Sequence, residues 1–252
     1  MTLPDEDALG RLQGVKAVAI AYEEDGGPGV FSDAAISTDV ELEVWKRWES
    51  GPSPSSLDSY GAIVCLGGSM HPTGPDSGEP EQLTDDRELL GDALAAGTPI
   101  LSVCLGAELC TQAAGGGIRK LETLEVGWTE IELTEAGRED PLLGPMGSPF
   151  EGFEWHSYGC LPPEGAIVLA TNSASPQAWR IGDSAWAIQF HAEVLLEDIQ
   201  SWLRSWDKDP DALASGLDPD RILVETERKI LRWNDLGRGL AERFLAFAAT
   251  RA

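Results

Sequence analysis

Residues 100–107 read ILSVCLGA and place a cysteine between an apolar run and a helix-forming stretch. The run is typical of a buried strand, and the stretch that follows Cys104 is typical of a short helix. This order is the layout of a nucleophile elbow, a sharp turn that lifts a reactive side chain above a sheet. Gly106 keeps such a turn uncrowded. We expect the helix N-terminus to point at the sulfur and to lower the pKa of the Cys104 thiol.

A candidate base and the group that would orient it follow another predicted strand. His191 comes directly after that strand, and Glu193 is close enough in sequence to hold the imidazole. Gly67 and Gly68 end a further buried strand, where a tight turn could offer a backbone N–H, with that of Leu105, to a developing oxyanion. Taken singly, these pieces also fit a buried hydrophobic residue, a structural histidine and an ordinary turn.

Strand and helix patterns alternate along the first half of the chain. Buried strands are predicted at 15–22, 62–66 and 98–103, and helices at 38–49, 85–96 and 105–114. Thr84 and Gly97 are the expected caps of the second helix. Further strands are predicted at 127–134, 167–171, 177–181 and 185–190, and helices at 194–206 and 219–249. The pattern predicts an α/β fold with a mostly parallel (mixed) central sheet flanked by helices.

Length and composition predict one globular domain over residues 1–252, with 42% hydrophobic and 24% charged residues. We find no internal repeat, linker or low-complexity segment. The expected catalytic core covers about residues 15–206, and a helical C-terminal extension covers about 207–252.

Charge and motif content exclude several classes of function. Eighteen Lys and Arg against 43 Asp and Glu give a net charge of −25, which disfavours nucleic acid and anionic membranes as partners. No apolar run is long enough to span a bilayer. The acidic N-terminus lacks a secretory signal, and four cysteines without a CxxC pair support neither a disulfide scaffold nor a metal site. We therefore expect a cytoplasmic protein that needs no metal or cofactor.

Five motifs in order resemble the class I glutamine amidotransferases, most closely the stand-alone branch similar to the glutaminase domain of GMP synthetase. The motifs are LGGSMHP (66–72), PILSVCLGAEL (99–109), EVGWTEIEL (125–133), EWHSYGCLPP (154–163) and AIQFHAEV (187–194). The resemblance runs from about residue 62 to 194. It implies a flavodoxin-like glutaminase fold with a nucleophile elbow.

The resemblance implies a role for each matching residue. Cys104 would attack the side-chain amide of glutamine, and His191, oriented by Glu193, would act as base and then protonate the departing ammonia. Water would hydrolyse the resulting γ-glutamyl thioester. The backbones of Gly68 and Leu105 match the oxyanion donors. The residues that match substrate contacts are Gly67, Glu108, Ser157 and Tyr158, whereas His156 is interpreted as structural.

Three positions depart from the family pattern. Ser102 stands where the family has glycine, Ala192 where it has proline, and Glu108 where it has glutamine. A carboxylate at 108 would attract an α-ammonium group and repel an α-carboxylate, at about 4 kcal/mol for a contact near 4 Å before screening. Alternatively, Glu108 is paired within its own loop.

The leading hypothesis is therefore an enzyme that releases ammonia from glutamine, or acts on a glutamine-like molecule, for a separate synthetase or other acceptor enzyme. One alternative is a hydrolase or transferase of the same fold with another γ-glutamyl or amide substrate. Another is a non-catalytic partner that regulates a synthetase. The sequence does not predict the oligomeric state.

Overall fold

The computed structural model describes residues 15–49, 56–74 and 79–251. Its strands are β1 (Lys16–Ala21), β2 (Glu41–Lys46), β3 (Ala62–Cys65), β4 (Ile100–Val103), β5 (Gly117–Leu133), β6 (Phe150–Leu161), β7 (Ile167–Thr171), β8 (Pro176–Ile181) and β9 (Ala185–Ile188). Its α-helices are α1 (Val30–Ser37), α2 (Glu81–Ala96), α3 (Leu105–Ala113), α4 (Glu135–Glu139), α5 (Leu196–Arg204), α6 (Pro210–Ser215) and α7 (Pro219–Ala249). Short 3₁₀ helices cover Gly144–Met146 and Trp206–Lys208.

All of these strands belong to one mixed sheet, in the order β2-β1-β3-β4-β9-β8-β7-β5-β6. The first five in this order are parallel to one another, and the remaining pairings are antiparallel. The chain leaves the parallel half after α3, forms the antiparallel strands, and returns as β9 beside β4. The predicted α/β fold with a mixed sheet flanked by helices is confirmed.

Alternating side chains of the parallel strands pack against helices on both faces of the sheet. In β1, Ala17 and Ala19 belong to the core that includes α1 and α7, whereas Val18 and Ile20 belong to the core that includes α2 and α3. Strands covered on both faces are apolar at nearly every position, which explains why the sequence shows them as continuous runs.

The long helix α7 has clear start signals and one buried face. Pro219 occupies its first turn, and the Asp218 side chain accepts a hydrogen bond from the Asp220 N–H. Its buried residues recur every three or four positions and pack beside α1, α5 and β5. These contacts join the C-terminal part of the chain to the sheet domain.

Two predicted helices differ from the structure. Residues 38–49 contain β2, because Leu42 and Val44 alternate with outward Glu41 and Glu43 at the period of a strand. The helix of this crossover is α1, immediately upstream. The helix predicted at 85–96 begins at Glu81, after Pro80, although it ends at Gly97 as expected, in a left-handed conformation.

Strand β6 (Phe150–Leu161) lies where the sequence predicts no strand. It pairs antiparallel with β5. The structure also adds α4 and α6 to the predicted helices. Within the described ranges, no helix combines the length and apolar character needed to cross a membrane.

Candidate active site

The parallel strands bring the predicted site residues to one edge of the sheet. Gly67 and Gly68 follow β3, Cys104 follows β4, and His191 follows β9. Because β3, β4 and β9 run in the same direction, their carboxyl ends meet, which is where open α/β sheets bind ligands. These residues line a cleft of about 720 Å³.

Cys104 sits at a strained turn between β4 and α3. Its backbone has φ 49° and ψ −111°, a positive φ that side-chain-bearing residues rarely adopt. The helix begins so close to β3 that a Cβ on Gly106 would lie 2.2 Å from the Cys65 carbonyl oxygen. The Gly106 N–H donates to the Leu66 carbonyl at 3.0 Å. The predicted elbow is therefore present, and only glycine fits its second helical position.

The expected low pKa of the Cys104 thiol is wrong. Burial raises this pKa well above its ordinary value, and the nearby carboxylates Glu108, Glu193 and Glu154 raise it further. The backbone N–H of Leu105 opposes the rise but does not cancel it. The thiol lies 3.8 Å from the Trp155 carbonyl oxygen, to which it donates. The resting sulfur thus carries a proton that must be removed before or during attack.

His191 is held in one orientation by its neighbours. Its Nδ1 atom lies 2.8 Å from Glu193 Oε1, and both side chains are buried. The backbone N–H of His191 donates to the Phe153 carbonyl at 2.8 Å. The Trp202 ring packs against the imidazole, with ring centroids 5.0 Å apart. With Nδ1 bonded to a carboxylate, Nε2 is the nitrogen available for proton transfer.

The two glycines after β3 leave no room for side chains. A Cβ on Gly67 would lie 2.7 Å from His191 Cε1 and 3.4 Å from Cys104 Cβ. A Cβ on Gly68 would lie 2.9 Å from Tyr22 Cβ. Gly67 therefore lies against both the predicted nucleophile and the predicted base, so these two side chains flank the same piece of backbone.

A second buried group of titratable side chains adjoins the cleft. His156 Nε2 lies 3.1 Å from Glu154 Oε2 and 3.4 Å from Glu125 Oε2, and its Nδ1 lies 2.7 Å from the Tyr158 carbonyl oxygen. The two glutamates outweigh the effect of burial and raise the pKa of His156. Glu108, buried on α3, lines the same cleft and interacts electrostatically with His156.

Ser157 and Tyr158, which the resemblance implies as substrate contacts, belong to β6 and lie at the cleft or beside it. Ser157 lines the cleft, and the Tyr158 ring packs 4.5 Å from that of His71, another lining residue. Trp155 and Trp202 also line the cleft, and the sequence motifs do not predict this aromatic wall. The available signal for Trp155 was its position in the EWHSYG motif, two residues before Ser157.

The outer end of the cleft comes from the segment after α5. Ser205, Lys208, Asp209 and Asp211 contribute to its lining. Asp209 accepts a hydrogen bond from Trp155 Nε1 at 3.1 Å and caps α6. In the part of the chain that the structure describes, no three His, Cys, Asp or Glu side chains are placed to hold a metal ion.

Helix α7 supports the loop that carries His191. Trp233 Nε1 donates to the His191 carbonyl at 2.7 Å, and Asn234 Nδ2 donates to the Val194 carbonyl at 2.7 Å. Gly237 packs so closely that a Cβ there would lie 1.9 Å from the Ala192 carbonyl oxygen. His191, the predicted base, is therefore held in part from outside the segment that contains the five sequence motifs.

Comparison with known proteins gives the family. Residues 32–205 match the model of the class-I glutamine amidotransferases. A glutamine amidotransferase-like protein of Salmonella typhimurium is 28% identical over 163 residues, covering 64% of this chain and 68% of that protein. A GMP synthase (glutamine-hydrolysing) of Lactobacillus delbrueckii is 38% identical over 125 residues, covering 47% of this chain but only 23% of the synthase.

Two further comparisons bear on substrate and fold. A γ-glutamyl-L-1-hydroxyisopropylamide hydrolase of Pseudomonas sp. is 32% identical over 178 residues, covering 67% of this chain and 59% of the hydrolase. The crystal structure of a glutamine amidotransferase from Thermotoga maritima has a TM-score of 0.78 at 22% identity, covering 92% of this chain and 98% of that one. The latter likeness shows the flavodoxin-like fold. Because the family model matches most of its length, the chain belongs to the class-I glutamine amidotransferases.

Proposed function

We propose that the protein hydrolyses the side-chain amide of glutamine through a γ-glutamyl thioester on Cys104. One observation carries the proposal: Cys104, at a strained elbow, and His191, bonded to Glu193, flank Gly67 in a single cleft. A thiol, an imidazole and an orienting carboxylate are the groups needed to form and hydrolyse an acyl-enzyme.

The protonated thiol defines the order of proton movements. His191 Nε2 takes the Cys104 proton as sulfur attacks the amide carbon, and Glu193 stabilises the imidazolium. The N–H groups of Gly68 and Leu105 are proposed to receive the oxyanion. His191 then gives the proton to the amide nitrogen, the C–N bond breaks and ammonia leaves.

Water completes the cycle. His191 removes a proton from a water molecule as its oxygen attacks the thioester carbon, and the C–S bond breaks. Glutamate forms, and the sulfur of Cys104 recovers a proton from His191. The imidazole of His191 is neutral and protonated in turn during these steps. The hydrogen bond that Nδ1 donates to Glu193 orients the ring in both forms.

We propose that a separate acceptor enzyme uses the ammonia. The GMP synthase relatives are named as glutamine-hydrolysing, and the shared segment is 23% of their length, which supports a division between a glutamine-hydrolysing part and an acceptor part. We also propose a catalytic core at about 15–206 and a helical extension at about 207–252. The family match over 32–205 supports this division. We also propose a cytoplasmic location, which the four free cysteines support.

The first test compares three proteins in a glutamate and ammonia release assay. Wild type and Cys110→Ala are expected to release both products from glutamine, and Cys104→Ala is expected to release neither. Cys110 is a matched control because it lies on α3 but belongs to the core that packs between α2 and the sheet. Unchanged release by a folded Cys104→Ala protein would exclude the proposed chemistry.

A second candidate function is hydrolysis of a γ-glutamyl amide larger than glutamine. Two observations favour it: the Pseudomonas relative is named for such a substrate, and Trp202, which packs against His191, and Trp155 also line the cleft. An amine substituent leaving beside His191 would meet these rings. The values of kcat/KM for glutamine and for γ-glutamyl N-alkylamides decide between the two. A preference for glutamine over every alkylamide would reject the second candidate.

The third interpretation, a non-catalytic partner that regulates a synthetase, predicts an unreactive thiol at Cys104. A non-catalytic partner would leave Cys104 unlabelled by a glutamine-like electrophile while binding a synthetase stably. Cys104-specific labelling, absent in Cys104→Ala, would exclude it.

A further inference from the structure

The loop after β1 contacts both halves of the predicted site. Residues 22–29 connect β1 to α1 and pass beside the glycine turn that follows β3, where a Cβ on Gly26 would lie 3.9 Å from the Gly67 carbonyl oxygen. Where the loop enters α1, the Val30 N–H donates to the Glu193 carbonyl at 2.9 Å. The loop is therefore placed to influence the glycine turn as well as the segment that carries the predicted base.

Packing fixes one side of Gly68 in this turn. A Cβ on Gly68 would lie 2.9 Å from Tyr22 Cβ and 3.0 Å from Leu105 Cδ2, so these side chains close the space beside its α-carbon. Tyr22 is buried, and its hydroxyl lies 3.7 Å from Cys65 Sγ at the end of β3. These contacts hold the α-carbon of Gly68 but not the orientation of its two peptide groups, because glycine tolerates a wide range of backbone angles.

Glu23 restrains one of these peptide groups. Its Oε1 atom accepts a hydrogen bond from the Ser69 backbone N–H at 2.9 Å and another from the Ser69 hydroxyl. The Ser69 N–H belongs to the planar peptide group that joins Gly68 to Ser69. By holding this group from a loop 46 residues earlier in the sequence, Glu23 restrains the direction in which the chain leaves Gly68.

We propose that Glu23 is a positioning residue for the oxyanion site: it holds Ser69 so that the N–H of Gly68 points into the cleft before the substrate reacts. The inference rests on the proposed function, in which that N–H receives the oxyanion. Donors that are oriented in advance stabilise an oxyanion without reorganising during the reaction. Because the oxyanion is absent from bound glutamine, the contribution of Glu23 should appear in kcat and not in KM.

Steady-state kinetics of glutamate release test the proposal in four proteins. Glu23→Ala is expected to lower kcat about tenfold with KM nearly unchanged, which is less than the loss of about 100- to 1,000-fold for removing an oxyanion donor outright. Glu23→Gln keeps a side-chain oxygen that can accept both hydrogen bonds, so its kcat should stay within about threefold of wild type. Glu24→Ala, an exposed position in the same loop, is the matched control and should change neither constant.

Alkylation of Cys104 by iodoacetamide reports the thiol without an oxyanion. The sulfur displaces iodide from a methylene carbon, so no negative charge develops on a carbonyl oxygen. Wild type and Glu23→Ala are expected to react at equal rates, with Cys104→Ala giving the background from the other cysteines. Equal alkylation together with a lower kcat would place the defect at the oxyanion site and not in the thiol or its base.

Three results would overturn the inference while wild type remains active. The first is a folded Glu23→Ala protein with the kcat of wild type. The second is an equal loss in Glu23→Gln and Glu23→Ala that appears in KM, which would assign Glu23 a charge interaction with the substrate. The third is alkylation that slows in proportion to kcat, which would indicate general damage to the site. If wild type releases nothing from glutamine or from γ-glutamyl N-alkylamides, the proposed function fails and the inference fails with it.

Discussion

Gly67→Ala is expected to displace His191, the proposed base, from Cys104, the proposed nucleophile. The new Cβ would lie 2.7 Å from His191 Cε1, whereas ordinary contacts begin near 3.4 Å, so the imidazole must shift by about 0.7 Å. His191 cannot move freely, because Glu193 holds Nδ1 at 2.8 Å and Trp233 holds its carbonyl at 2.7 Å. A misplacement near 1 Å costs about 100-fold in rate, or about 2.7 kcal/mol in transition-state free energy.

The assay is kcat/KM for glutamate release from glutamine, with circular dichroism and Tm recorded alongside. Gly27→Ala is the matched control, because a Cβ there meets nothing within 4 Å and Gly27 lies in the loop after β1. We expect about a 100-fold loss for Gly67→Ala and less than a twofold change for the control. A folded Gly67→Ala protein within threefold of wild type would refute the contact geometry at Gly67.

Two further predictions concern stability. Gly91→Ala, in the interior of α2 with open space around its Cα, should raise the free energy of unfolding by about 1 kcal/mol in a denaturant titration and leave activity unchanged; a lower midpoint would contradict this. Arg47→Met should cost about 3–5 kcal/mol, because it leaves Asp86 buried without its 3.0 Å ion pair. Burial raises the pKa of Asp86 to about 6, so this acid is protonated at pH 5 and ionised at pH 8. The loss should therefore be smaller at pH 5, and an equal loss at both pH values would exclude this explanation.

The parallel half of the sheet was predictable because both faces of its strands are covered. Continuous apolar runs at 15–22, 62–66 and 98–103 correspond to β1, β3 and β4. Edge strand β2 is different, since Val40, Val44 and Trp48 recur every four positions, a spacing that also fits one face of a helix. The distinction depends on pairing with β1, which is a long-range contact.

The geometry of the predicted residues could be anticipated, but their electrostatics could not. The strand order places Cys104, His191 and Gly67 together, as the motifs indicate. The pKa of the thiol rises mainly because the thiol is buried, and further because Glu108, Glu193 and Glu154 lie near it. Glu154 lies on β6, a strand that the sequence did not reveal, so its proximity to Cys104 could be seen only in three dimensions.

The anchoring of His191 by α7 affects the order in which a growing chain becomes competent. Trp233 and Gly237 follow the base in sequence by more than 40 positions, so the ribosome makes the thiol, the base and the cleft before the helix that fixes the base. Until Trp233 reaches the His191 carbonyl, nothing from α7 restrains the loop opposite the Cys104 elbow. Full restraint of the His191 loop would thus come with the docking of the last helix, and a chain truncated before it would keep only the contacts of His191 with Glu193, Phe153 and Trp202.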